Sequence, residues 1–396
     1  MTNRGNHIQS SLRKGREVYL DNNATTAPLP EVLEVMERAQ RETFGNPSSV
    51  HRAGEKARSA VREARETVSE FIGVTPAHVL FTSGTTEANN LILQNLLLGD
   101  LKGFRLITCT TEHSSILQPA SFLKARGIEV FVLPVDGSGR VDPASLREVI
   151  APGRTLVSIQ WANNETGVIQ SIAELASVAK EKGALFHSDA AQAVGKVPID
   201  LTRVPVDLLS LSGHKVHGPK GIGAIAGSGL TRLSPTVFGG SQEGSIRPGT
   251  ENVPGILGLA VALRTRASRF SEANRITEEL RDAFEGMLLQ DGLAETINGN
   301  DVDRLPNTSS VRFSGVDGEA LVVRLDQEGV RCSQSSACTN QKPEPSYVLR
   351  AMGLAEDEAY ASLRFGFSEM NSAEEIRIAV EAIRRIRDSL IAFAPA

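Results

Sequence analysis

From Val18 to about Gly227, short apolar runs rich in β-branched residues alternate with stretches of helical character, and this pattern constrains the fold most. Strands are expected at 78–82, 105–109, 129–133, 155–161, 184–188, 207–211 and 222–226. Helices are expected at 30–40, 49–72, 86–98, 114–126, 143–150 and 172–182. Asp142-Pro143 reads as an N-cap followed by proline in the first turn, and Asn46-Pro47-Ser48-Ser49 opens the long charged helix. Short connections between such elements predict an α/β fold, a mostly parallel central sheet covered by helices.

After Thr250 the character changes. A long helical region over 253–289 is followed by a strand at 309–313, a helix at 319–328, a Cys/Ser-rich stretch, a strand at 362–367 and a final helix over 373–391. With 396 residues the chain exceeds what one core usually holds. A large domain over 18–255 and a smaller α+β domain over 256–396 are therefore expected, with residues 1–28 packing near the smaller one. The basic first sixteen residues lack the apolar centre of a secretory signal and read as a tail, with a transit segment as the lesser alternative.

Charge and cysteine usage narrow the function. Lys and Arg number 42 against 47 Asp and Glu, a formal charge of −5, so no nucleic-acid groove is expected as a main surface. No apolar run approaches the roughly 20 residues of a membrane span. Three cysteines, Cys109, Cys332 and Cys338, argue against a disulfide framework and for a reducing, cytoplasmic setting. Their spacing from the histidines fits no metal site, so none is expected.

Ligands of doubly wound sheets gather at the carboxyl ends of the strands, and the unusual polar clusters fall there. Thr82-Ser83-Gly84-Thr85-Thr86-Glu87 is a small-residue turn opening a helix, suited to a phosphate but common in itself. Asp189, just past an apolar strand, is placed either to pair with a cationic ring nitrogen or to cap a helix. Lys215, among small residues and histidines in Ser212-Gly213-His214-Lys215-Val216-His217, is suited to Schiff-base chemistry if partly buried. Lys220 is its rival, in a Gly/Pro turn. A lysine, an acid and a phosphate cradle together are what pyridoxal phosphate requires.

The motifs YLDNNATTAPLPEV, FGNPSSVH, TSGTTEANN, TTEHSSIL, ANNETG, HSDAAQAVGKVPID, SGHKVHGPKGIG, RPGTENV, SSACT, EPSYVLRAMG and SLRFGFS occur in this order after about Val18. On them the sequence resembles the cysteine desulfurases of the nitrogen-fixation and iron–sulfur-cluster type, group I, within the class V aminotransferase family. The resemblance implies a fold type I pyridoxal-phosphate enzyme that converts L-cysteine to L-alanine and passes the sulfur to its own Cys338 as a persulfide. It implies that Lys215 holds the cofactor as an imine, Asp189 partners the ring nitrogen, and His113 stacks on the ring and helps move protons. Asn164 and Gln192 are implied as hydrogen-bonding partners of the ring, and Thr85, Thr86, Ser212 and His214 as phosphate ligands. Thr250 is implied to serve the phosphate across a homodimer interface, and Arg364, with Asn164, to hold the substrate.

Structural alternatives stand beside these roles. His113 in a strand-to-helix turn also suits a cap, and Arg364 on a strand suits an ion pair. Cys338 lies in Ser333-Gln334-Ser335-Ser336-Ala337-Cys338-Thr339-Asn340-Gln341, a hydrophilic stretch expected to be exposed and mobile. Cys332 reads as strand-end packing before it reads as a relay, and Cys109 as core. Rival enzyme readings are a selenocysteine lyase or another aminotransferase-fold enzyme; a silent cofactor-binding scaffold is a third. Sulfur-acceptor proteins are expected as partners, but iron–sulfur scaffolds, tRNA-thiolating enzymes, cofactor-synthesis routes and DNA phosphorothioation systems remain open.

Overall fold

The computed structural model describes residues 17–151, 154–313, 315–334 and 345–392. The reading of the first sixteen residues and the position of Cys338 lie outside the described residues. Seven strands form the large sheet, in the order Val79–Thr82, Gly223–Ala226, Leu208–Ser212, Leu185–Asp189, Thr155–Ser158, Arg105–Cys109, Val130–Leu133. Gly223–Ala226 alone runs against its neighbours; the other pairings are parallel.

The sheet's apolar runs are continuous because both its faces are covered. Leu106, Leu156, Leu208 and Ile225 point to one side, where they meet Ala88, Leu91 and Ile92 of the helix Thr85–Gln94. Ile107, Val157, Leu209 and Ala224 point to the other, against Leu175 and Ala179 of Ile172–Glu181 and Leu259 and Leu263 of Val253–Ser268. That last helix also packs on Pro30–Glu42 and Arg52–Ile72.

A second core gathers Phe284, Phe313, Phe365 and Phe367 with Leu321, Ile376 and Ile383, and it takes in Val18 and Leu20 from the start of the chain. Its four-stranded sheet is antiparallel, in the order Ser333–Gln334, Ser362–Gly366, Thr308–Arg312, Thr296–Ile297. Val18–Tyr19 pairs in parallel with Val330–Arg331, and the chain then runs past the end of Ser362–Gly366, where Asn22 N–H donates to Gly366 O at 3.1 Å. A Cβ at residue 366 would lie 2.7 Å from Asn23 N, so glycine is what allows residues 22 and 23 to pass so closely. This passage brings the Asp21-Asn22-Asn23 turn to the strand ends of the large sheet.

The helical region after residue 253 is two helices, Val253–Ser268 and Phe270–Gln290, where one long run is expected from sequence. Arg269 between them has φ −115° and ψ 12°. No glycine or proline announces the break, which is set by the two helices packing on different cores.

Candidate active site

Parallel neighbours place Asp189 and Lys215 together. Asp189 ends its strand in register with Ser210, and the strand Leu208–Ser212 turns at once through the 3-10 segment Gly213–Lys215. Asp189 is buried; its Oδ2 accepts from Asn89 Nδ2 at 2.7 Å and its Oδ1 from Ala191 N–H at 2.9 Å. The second contact closes a turn, and no helix follows for Asp189 to cap, so the helix-cap alternative is not met; the first ties it into the site. Asn89 Nδ2 also donates to Ser115 Oγ at 2.9 Å, and Ser115 Oγ lies 2.8 Å from His113 Nδ1. Asp189, Asn89, Ser115 and His113 therefore form one hydrogen-bonded series.

His113 does cap the helix Ser114–Ala125, accepting from Ser115 N–H at 3.1 Å through Nδ1. That engagement makes Nδ1 the acceptor and leaves Nε2 to carry the ring proton. Burial, more than the neighbouring Lys215, draws its pKa below the usual histidine value, while Asp189 opposes the shift. Beneath it, Glu112 is wholly buried: its Oε1 accepts from Gln160 N–H at 2.5 Å, and burial and the Asp189 charge push its pKa well up.

Lys215 is half-buried, and its Nζ donates to the carbonyls of Asn23 at 2.6 Å and Ala24 at 2.9 Å. Lys220, its rival in the sequence, is exposed. Gln192 Nε2 donates to the same Asn23 carbonyl at 2.9 Å. Asn23 is the hub that sequence reasoning missed. Its side chain joins Thr308 Oγ1, Asn307 and the Asn164 carbonyl, so it fastens the N-terminal turn, both cores and Lys215 to one point. Its only sequence signal is its place in DNNATT.

Arg364 is 4% exposed, which rules out a surface pair. It bonds Asp21 at 2.9 Å and the Asn164 carbonyl at 3.3 Å. Thr85 and Thr86 open the helix Thr85–Gln94 behind Gly84, and a Cβ there would sit 3.7 Å from Ser212 Oγ, so the two turns adjoin. His214 Nδ1 meets Thr25 Oγ1 at 3.2 Å, and burial, then the nearby lysines, take its pKa down to about 4. Thr250 is exposed and makes none of the hydrogen bonds that unite the others. A 430 Å³ cleft beside the site is lined by Thr86, His113, Ser115 and Gln118 among others.

Four buried polar atoms here have no partner among the described residues: Thr85 Oγ1, Asn89 Oδ1, Asn164 Oδ1 and Arg364 Nε. Buried polar groups are rarely left so. Together with an amine, a carboxylate and an imidazole, they fit a ligand that is polar on several sides, as pyridoxal phosphate is.

Cys109 is core, its thiol pKa raised by burial. Cys332 packs at the edge of the second core, and burial raises its thiol as well, which makes it a poor nucleophile. The segment 335–344 is bracketed by site residues: Ser333 pairs with Arg364, and Ser346 donates to Glu165, next to Asn164. Tyr347 Oη adds a bond to Glu112 O at 2.6 Å.

Burial sets the Glu165 pKa at about 7 against an ordinary 4.5, with Ser346 and Arg364 opposing. The folded chain thus holds a proton that the unfolded chain releases. Stability from this group is full below about pH 4.5 and is lost as pH rises through 7, by about 3 kcal/mol in all. Glu165→Gln is expected to remove that loss, which thermal unfolding of both proteins from about pH 5 to 9 would reveal as curves that separate as pH rises, the parent falling relative to the variant.

The family model Aminotransferase class-V matches residues 18–378. The cysteine desulfurase IscS of Dictyoglomus turgidum is 41% identical over 382 residues, 96% of this chain and 97% of that protein. Among solved structures, a NifS-like protein superposes with a TM-score of 0.87 at 35% identity, covering 95% of this chain and 100% of its own. SspA in complex with cysteine superposes with a TM-score of 0.79 at 34% identity, over 90% and 100%.

Proposed function

The chain belongs to the aminotransferase class-V family, and we propose that it is a pyridoxal-phosphate-dependent cysteine desulfurase. The observation that carries this is the position of Lys215 and Asp189 at the same ends of adjacent parallel strands, with His113 joined to Asp189 through Asn89 and Ser115. Lys215 would bond the cofactor, Asp189 would hold its ring nitrogen protonated and His113 would stack on the ring. Thr85, Thr86, Ser212 and His214 would take the phosphate, with Thr250 of a second copy. Asn164 and Gln192 would bond the ring. Bound there, the cofactor supplies a sink for the electron pair left at the substrate Cα.

The chain's own groups do the rest. Arg364 binds the carboxylate of L-cysteine, and the Lys215 amine moves the Cα proton. Cys338, as thiolate, attacks the substrate sulfur: an S–S bond forms, the Cβ–S bond breaks, and protons delivered to carbon complete L-alanine. Sulfur then passes from Cys338 to an acceptor protein. A homodimer in the cytoplasm accords with the exposure of Thr250, Val237 and Phe238, and with thiols that must stay reduced.

Incubating the purified protein with pyridoxal phosphate and L-cysteine tests this directly. Alanine should appear, and the peptide carrying Cys338 should gain the mass of one sulfur atom. Alanine without that gain, or no turnover at all, defeats the proposal. Asp189→Asn leaves the ring nitrogen without its anion, so the ring is a weaker electron sink, and is expected to lower kcat about 10²- to 10³-fold, a rise of about 3–4 kcal/mol in the barrier.

A further inference from the structure

Lys196 lies in the turn after the strand Leu185–Asp189, is 8% exposed, and has no part in the chemistry above. A lysine is seldom so buried unless something holds it there. Its Nζ donates to Gln192 O at 3.0 Å and to Gln192 Oε1 at 3.3 Å. The Gln192 amide therefore spends its oxygen on Lys196 and turns its Nε2 toward Asn23 O, the carbonyl that also receives Lys215 Nζ. Two lysines are thus joined through one amide and one carbonyl.

A primary amide is a donor on one side and an acceptor on the other. Turned over, Gln192 would point its NH2 at the Lys196 ammonium, donor against donor, in a buried place where an unmade hydrogen bond costs about 1–3 kcal/mol. Lys196 therefore decides which way the amide faces. We propose that Lys196 is a positioning residue of the cofactor site, fixing Gln192 so that its N–H is presented to the ring oxygen beside the carbon that Lys215 bonds. The inference rests on the reading of this site as one for pyridoxal phosphate. Burial first, then the charges of Lys215 and Arg266, brings the Lys196 pKa down to about 7, while Glu369, itself bonded to Arg266, opposes them; the donor-only ammonium that orients the amide is the form present below that pH.

An N–H donated to the ring oxygen stabilises its anion and lowers the pH at which the visible band of the loaded protein titrates. That midpoint is the readout, taken by absorbance on dimeric, cofactor-loaded protein. Lys196→Met is expected to raise it by about one pH unit, and Lys196→Arg, which keeps charge and donors, to restore it. In a Gln192→Leu background, Lys196→Met should add no further shift. An unmoved midpoint in Lys196→Met, or a shift of full size in the Gln192→Leu background, overturns the proposal; the latter would make Lys196 a distant charge only. Should Met at 196 prevent folding, Lys196→Ala gives the same comparison. A parent protein whose Lys215 takes up no cofactor overturns both this inference and the functional reading, whereas a loaded parent with an unmoved Lys196→Met midpoint overturns this inference alone.

Discussion

Lys215→Ala is expected to reduce alanine formation from L-cysteine by at least about 10³-fold, and to leave the cofactor unfixable by borohydride. The size follows from two losses at one atom. The amine that bonds the cofactor is gone, and so is the base that moves the Cα proton, a contribution of about 10²- to 10⁴-fold by itself. The structure makes this position selective. Lys215 ends a tight turn at a strand terminus, with its Nζ drawn into the site by Asn23 O and Ala24 O. Lys196, the other amine nearby, is committed to Gln192, and Lys220 is exposed. Borohydride reduction of the parent followed by peptide mass mapping should place the adduct on Lys215. Lys220→Ala should keep both adduct and activity, and an adduct found at residue 220 would reverse the assignment.

The strand-end clusters were legible because each apolar run is followed at once by residues that a buried strand has no use for. Asp189 and Lys215 stand out against Leu185–Ser188 and Leu208–Leu211 for that reason, and the parallel register that unites them follows from the alternation of elements. One cap was legible, since Asp142 accepts from Ala144 N–H and Ser145 N–H; the other was not, because Asn46 closes a turn with Ser48 and the helix Arg52–Ile72 is capped by His51 instead.

What escaped depends on contacts between distant parts of the chain. Asn23 meets Gln192 across 169 positions and Lys215 across 192, and no local pattern encodes that. Asn89 sits on the helix Thr85–Gln94 at a position that reads as an ordinary polar residue until the helix is laid on the sheet, where it faces Asp189 and Ser115. Lys196 reads as a turn lysine beside Gly195, and only its burial gives it a role. Arg364 is the reverse case. Its strand predicts a buried or an exposed side with equal ease, and it is the distant Asp21 and Asn164, lying over that face and bonding its guanidinium, that decide for burial.

Cys338→Ser is the second change expected to cost at least about 10³-fold in sulfur release, and it separates the desulfurase from its rivals. The serine hydroxyl is nearly the shape of the thiol but is not ionised near neutrality and is a far weaker nucleophile toward sulfur. The substrate Cβ–S bond therefore loses the acceptor into which it breaks. Binding should survive, because the groups assigned to the cofactor and the substrate carboxylate, Lys215, Asp189 and Arg364, are untouched. The variant is then expected to take up cofactor and to perturb its visible band on addition of L-cysteine, yet release neither sulfide nor alanine at the parent's rate. An aminotransferase needs no thiol at residue 338, so undiminished amino-group chemistry in Cys338→Ser would favour that rival. A selenocysteine lyase would retain turnover of selenocysteine while failing on cysteine in parent and variant alike. Neither other cysteine can substitute, since burial holds the thiols of Cys109 and Cys332 in their protonated form. Loss of activity in Cys338→Ser with full activity in Cys332→Ala is the paired result that assigns the nucleophile to Cys338.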